Sequence, residues 1–161
     1  MKSTKLRTVK KSDLHSDDDL ITSALRCLET RVKYMHDTPL HSSTNVRNYL
    51  QLHLGLEKSE VFAVMFMDSH FRLLSFEKMF YGSIHEAVVY PRRIVQKALE
   101  LNAARLIVAH NHPSQVLLPS VADKNLTKDL TTILKLVDIK LIDHIIVSHQ
   151  GTYSFAEHNL L

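Results

Sequence analysis

The chain reads as a mixed α/β (α+β) domain, a β-sheet flanked by helices. Three observations predict this. Apolar runs of strand length recur at Val61–Met67, Arg105–Ala109 and Leu141–Ser148. Stretches with apolar residues at helical spacing lie before and between them. The composition, 45% hydrophobic and 23% charged with three glycines and four prolines in 161 residues, belongs to a chain that buries a core and has few long loops.

Residues 1–16 are expected to be a disordered basic tail. The run Ser16-Asp17-Asp18-Asp19 starts a helix, with acids in the first turn where the helix dipole favours them. Leu20, Ile21, Ala24, Leu25 and Leu28 continue it to about Lys33. His36 to Ser43, with Pro39, is a connector. Thr44 or Asn45 caps a second helix that carries Val46, Tyr49, Leu50 and Leu54 and ends at Gly55. This divides the chain into a tail and N-terminal helix, 1–40, and a domain, 41–161.

Beyond Glu60, Val61–Met67 is a buried strand, Asp68-Ser69 a turn, and Phe71 to Phe80 the returning strand. Gly82 breaks the chain. Pro91 opens a helix through Ile94, Val95, Ala98 and Leu99. Arg105–Ala109 is a strand, and a loop runs from about His110 to Pro119. A helix from about Val121 to Val137 follows, with Leu126, Leu130, Ile133, Leu134 and Val137 on one face. Leu141–Ser148 and Thr152–Phe155 complete the sheet. No internal repeat is visible.

Several classes are excluded. No apolar run reaches the roughly 18–20 residues of a membrane helix, and the charged N-terminus lacks a signal-peptide core. Cys27 stands alone, so neither an internal disulfide nor a cysteine-based zinc site can form. A cytoplasmic location is the expectation that remains. The net charge of +3 is a tail property: residues 1–11 hold five basic groups, and the rest of the chain balances at −2. The tail can meet nucleic-acid phosphates, but a solvated end needs no partner.

The chemistry concentrates in His110-Asn111-His112-Pro113-Ser114 and Pro119-Ser120-Val121-Ala122-Asp123. These follow a buried strand, where ligand sites of mixed α/β folds collect. Histidines at i and i+2 of extended backbone point to one side. Asp123, in the first turn of the next helix, faces back toward the loop. Two imidazoles and a carboxylate suit zinc and leave a fourth position for water, whose pKa zinc brings to about 7. Glu60, at the start of the first core strand, is the candidate proton shuttle, and Ser120 a donor to a developing oxyanion. Each residue alone has a simpler reading. Eleven histidines make a chance His-x-His unsurprising. Ser120-x-x-Asp123 also resembles a helix capping box, and Glu60 a charge before a strand.

Taken together, Glu60, His110-x-His112-Pro113 and Ser120-x-x-Asp123, with seven residues separating His112 from Ser120, resemble the JAMM motif of MPN-type metalloproteases. Glu60-x-Phe62, Tyr90-Pro91-Arg92, Ala98-Leu99, Asn102-Ala103-Ala104, the His110–Ser114 segment and Asp143-His144-Ile145-Ile146 narrow the likeness to the bacterial RadC family, over about residues 41–161. The resemblance implies a cytidine-deaminase-like JAMM fold with one zinc ion held by His110, His112 and Asp123. It further implies Glu60 as general acid/base and Ser120 as transition-state donor. The family usually has glycine where this chain has Gln115, so the loop is expected to be stiffer or partly filled by an amide. The chain is also expected to lack the family's helix-hairpin-helix region, as short prophage-associated members do.

Three functions follow. The first is a zinc-dependent hydrolase acting on an amide or peptide bond. The second is a DNA-associated protein or nuclease, although one His-His-Asp site lacks the further carboxylates of two-metal phosphoryl chemistry. The third is an inactive interaction module on the same scaffold. His144 is expected to be a satisfied structural histidine, and Arg92 and Arg93 solvated charges. His85-Glu86 is not a zincin motif, since Val89 stands where the second histidine belongs. The absence of Pro-Cys-x-x-Cys excludes base deamination, and no Walker or Rossmann glycine pattern is present. Substrate and oligomeric state are not legible.

Overall fold

The computed structural model describes residues 17–34, 42–82 and 89–161. The expected tail 1–16, most of the connector around Pro39, and His85-Glu86 lie outside the described residues. In chain order the elements are α1 (Asp17–Tyr34), α2 (Ser43–Leu54), β1 (Val61–Met67), β2 (Leu73–Tyr81), α3 (Pro91–Glu100), β3 (Arg105–Asn111), α4 (Val121–Lys135), β4 (Lys140–Ser148) and β5 (Gly151–Ser154). None of the described helices is long and apolar enough to cross a membrane.

The strands form one mixed sheet in the order β2-β1-β3-β4-β5. Among the described strands only β3 and β4 are parallel, and α4 supplies the crossover that such a pair requires. All seven residues of β1 are buried, because helices cover both faces of the sheet. Val61, Ala63, Met65 and Met67 pack with Val46, Tyr49, Leu50 and Leu54 of α2. The alternate residues Phe62, Val64 and Phe66 pack with Ile94 and Ala98 of α3 and with Leu130 and Leu134 of α4. The period-2 alternation of side chains thus divides one strand between two cores.

Element boundaries depart from the sequence reading in ways that have local causes. Ser42, not Thr44 or Asn45, caps α2: its backbone is extended and its hydroxyl accepts from the Asn45 nitrogen. β2 begins at Leu73 and not at Phe71, because Phe71 has a positive φ of 61° and the Asp68 carboxylate gathers the loop. That carboxylate accepts from the His70 nitrogen (2.7 Å), the Arg72 nitrogen (3.0 Å) and Arg72 Nε (2.6 Å). α4 stops at Lys135, where Asp138 (φ 57°) lets the Ile139 nitrogen return to the Leu134 carbonyl. β3 runs two residues further than its apolar stretch, since His110 and Asn111 stay in register with Ile146 and Val147 of β4. His110 is therefore a strand residue and not a loop residue.

Candidate metal centre

His110, in β3, and His112, just past its end, turn their rings together, with their Nε2 atoms 2.8 Å apart. The N-terminus of α4 faces them. There Ser120 and Asp123 form a reciprocal capping box: Asp123 N donates to Ser120 Oγ (3.1 Å), while Ser120 N and Oγ both donate to Asp123 Oδ2 (2.7 Å each). The box fixes the carboxylate, leaving Asp123 Oδ1 3.3 Å from His110 Nε2 and Oδ2 3.8 Å from His112 Nε2. Glu60 approaches from the start of β1; Glu60, His110 and His112 each offer a ligand atom within 4.8 Å of the others. His110 and Asp123 are buried, and Glu60 and His112 partly so. A cleft of about 320 Å³ opens over them, with Pro113, Val116, Leu118 and Ser120 on its walls.

Each of these groups is held by a second residue. The His112 nitrogen donates to the Val147 carbonyl (2.9 Å), and its Nδ1 lies 2.5 Å from the Val116 carbonyl. A carbonyl only accepts, so His112 carries its proton on Nδ1 and turns a bare Nε2 to the centre. His110 Nδ1 lies 2.8 Å from His144 Nε2, and His144 Nδ1 lies 2.6 Å from Thr127 Oγ1. Glu60 is pinned on both sides. Its carbonyl accepts from the Gly82 nitrogen (2.9 Å), at a glycine whose φ of 111° few other residues tolerate. The next nitrogen, that of Val61, donates to Asn111 Oδ1 (2.7 Å), and Asn111 Nδ2 donates to the Glu57 and Ser59 carbonyls (3.2 and 3.0 Å).

Burial sets the electrostatics. It lowers the pKa of His110 to about 4, against the opposing pull of Asp123 and with a smaller push from His112. His144 lies well below the ordinary range, first through burial and then through His110 and His112. Both rings are therefore neutral near pH 7. Among the described residues, Asp123 Oδ1 is buried with no hydrogen-bond partner. A buried carboxylate oxygen without a donor is costly, as are two imidazole nitrogens that turn toward each other at 2.8 Å with no proton between them. A cation among them relieves both, and nitrogen and oxygen donors without thiolate fit a borderline divalent metal such as zinc.

Of the five residues singled out from the sequence, Glu60, His112, Ser120 and Asp123 line one cleft, and His110 is buried beside His112 and Asp123. The sequence does not single out three others, Asn111, Thr127 and His144, the last expected to be structural. Their signals were present. Asn111 alternates with the two histidines and so points to the opposite face, where it reaches the segment before β1. Thr127 stands one helical turn after Asp123. Gln115 takes a left-handed φ of 66°, the kind of backbone glycine supplies. Its amide turns away from the cleft: Oε1 accepts from the His149 nitrogen (3.0 Å) and Nε2 donates to the Pro113 carbonyl (3.3 Å). The loop is tied down, not filled.

Known proteins extend this picture. Residues 40–160 match a family described as the RadC-like JAB domain. A UPF0758 protein of Methylibium petroleiphilum is 48% identical over 139 residues, which is 86% of this chain and 61% of that protein. One from Leptothrix cholodnii is 43% identical over 97% of this chain and 68% of its own length. The UPF0758 protein YkfG of Escherichia coli is 44% identical over 90% of this chain and 91% of its own length. The chain thus spans about three fifths of the Methylibium relative and nearly all of the Escherichia one. The sheet and its two helical layers, together with a match over most of the sequence, establish that this chain belongs to the RadC family and carries its RadC-like JAB domain.

Proposed function

We propose that this chain is a metal-dependent hydrolase that cleaves an amide bond in a peptide-like substrate, with zinc held by His110, His112 and Asp123. The observation that carries this reading is Asp123 Oδ1, buried and without a hydrogen-bond partner among the described residues, beside the His110 and His112 imidazoles. Asp123 is preferred to Glu60 as the third ligand because Asp123 is buried and locked by the capping box, whereas Glu60 is only partly buried.

Zinc, when bound, supplies a Lewis acid that makes a water acidic near neutral pH. Glu60 takes the proton of the attacking water and passes it to the leaving nitrogen. Ser120 donates to the developing oxyanion. Its hydroxyl proton points to Asp123 Oδ2, so this role asks for rotation about the Cα–Cβ bond, during which the Ser120 backbone N–H still holds the carboxylate. The exposed Val116 and Leu118 on the cleft wall suit apolar substrate groups next to the scissile bond. The reading places the reaction in the cytoplasm, where the lone Cys27 stays reduced.

The test is metal analysis of the full chain together with hydrolysis of a peptide library. Metal is expected at about one ion per chain. His112→Ala loses metal and activity together. Glu60→Gln keeps the metal and slows turnover about 10²–10⁴-fold. Full metal occupancy in His112→Ala, or unchanged turnover in Glu60→Gln, sinks the assignment.

A further inference from the structure

His144 and Thr127 lie outside the proposed ligand set, yet they form a closed line of hydrogen bonds that begins and ends on it. Thr127 Oγ1 is 2.6 Å from the Asp123 carbonyl and 2.6 Å from His144 Nδ1, and His144 Nε2 is 2.8 Å from His110 Nδ1. The direction of every proton in this line follows from its first member. A carbonyl oxygen only accepts, so the single hydroxyl proton of Thr127 goes to Asp123. Thr127 Oγ1 then has lone pairs only for His144, and Nδ1 of His144 must bear the proton. The His144 ring is wholly buried, stacked on Phe155 at 4.6 Å with Phe62 edge-on at 5.9 Å. Its Nε2 is therefore a bare acceptor. His110 Nδ1 must donate to it, which leaves the lone pair of His110 on Nε2, beside His112 Nε2 and Asp123 Oδ1.

We infer that Thr127 and His144 are positioning residues that lock His110 in the Nδ1–H tautomer, and so present its Nε2 lone pair to the metal before any metal arrives. The line starts on the backbone of Asp123, so one ligand's helix fixes the proton of another ligand. The fold makes this possible in two ways. Thr127 follows Asp123 by one helical turn, and the parallel register of β3 and β4 sets His144 opposite Val108, two residues before His110 and on the same face. A ligand histidine held through its second nitrogen keeps ring orientation and tautomer, and loss of such a partner typically weakens metal binding about 10–100-fold.

The inference rests on the metal-centre part of the proposed function and on no assumption about the reaction. It is tested on the full chain, stripped of metal and labelled with nitrogen-15 in histidine, by the ring-nitrogen shifts of His110 and His144. A second readout is zinc affinity by competition with a chromophoric chelator. In the wild type both rings are expected as Nδ1–H tautomers. Thr127→Val removes the acceptor, mixes the tautomers of both rings and weakens zinc roughly tenfold or more, whereas Thr127→Ser restores both readouts. A wild-type spectrum with His110 protonated at Nε2 overturns the inference. So does a folded Thr127→Val with wild-type tautomers and affinity. If that variant fails to fold, the wild-type spectrum decides alone. The two readings fail separately: Nδ1–H on His110 with no zinc uptake sinks the metal centre and keeps the relay, and zinc uptake by an Nε2–H His110 does the reverse.

Discussion

The Val61 nitrogen donates to Asn111 Oδ1 at 2.7 Å, and this bond joins the end of β3, between the two histidines, to the residue next to Glu60. Asn111 is 2% exposed. The three hydrogen bonds of its side chain all reach residues 57–61, so it fixes how the chain enters β1. Asn111→Leu leaves the Val61 N–H buried without an acceptor and is expected to cost about 2 kcal/mol in urea unfolding. Metal content stays near that of the wild type while turnover falls, because the histidines keep their ladder and Glu60 does not keep its place. A loss below about 0.5 kcal/mol shows that the clamp carries no weight.

The capping box gives Ser120 a structural role that can be separated from any catalytic one. Ser120→Ala is expected to cost about 1 kcal/mol through the lost cap. The Ser120 backbone nitrogen still holds Asp123 Oδ2. Chelator competition should therefore find zinc affinity reduced far less than in Asp123→Ala, which removes the carboxylate itself. Equal losses in the two variants contradict this division.

Acid should weaken the metal-free protein through His110. Its pKa is about 4 in the fold and 6.5 outside it. Between those values the unfolded chain binds the extra proton, so stability rises with pH across this window. The contribution of the neutral ring is complete above pH 6.5 and is lost as pH falls toward about 4. His144, lowered in the same direction by burial, steepens the loss. Thermal unfolding of chelator-treated protein from pH 7 to pH 4 measures it. A flat profile, or one that rises toward acid, contradicts the burial of neutral imidazoles. If the proposed metal centre holds zinc, saturating zinc is expected to oppose the loss by binding only the folded form.

Gln115 offers a control at the rim. Gln115→Gly relieves a left-handed backbone and gives up the contacts to His149 and Pro113. The two effects oppose each other, so stability is expected to change by less than about 1 kcal/mol. Zinc affinity and turnover should move by less than about threefold, because the amide does not line the cleft. A large gain in turnover would mean that the side chain does obstruct the substrate.

The rim also predicts selectivity. Leu118 is 71% exposed on the cleft wall. Leu118→Ser is expected to raise KM for substrates with an apolar group beside the scissile bond and to leave kcat near its wild-type value, as loss of uniform binding does. Steady-state kinetics on a matched pair of apolar and polar peptides reads the difference. A fall in kcat with KM unchanged contradicts it.

Much of this protein is written in local pattern. The uninterrupted apolar run Val61–Met67, the helical spacing from Val121 onward and Pro91 at a helix start identify their elements, because burial on one or two faces and fixed φ act within a few residues. The ligand-type residues are legible for the same reason: His110 and His112 stand two residues apart and turn to one side, and Asp123 is placed by its own cap. Boundaries set by single hydrogen bonds were not legible. Ser42 and Phe71 follow from where one hydroxyl or one carboxylate finds a donor. The extra length of β3 follows from pairing with β4, since polarity at His110 and Asn111 hides the ladder that a distant strand completes.

The sequence by itself therefore determined the layers and the nitrogen- and oxygen-bearing residues that gather at the end of β3 and the start of α4. Tertiary structure alone decided how those atoms are held: Asn111 on the segment before β1, and Thr127 through His144 onto His110. These contacts join residues that are 17 to 54 positions apart, or depend on the register between strands. Hydrogen bonds are short-ranged and directional, so no periodicity along the chain announces a bond that exists only after separate elements have packed.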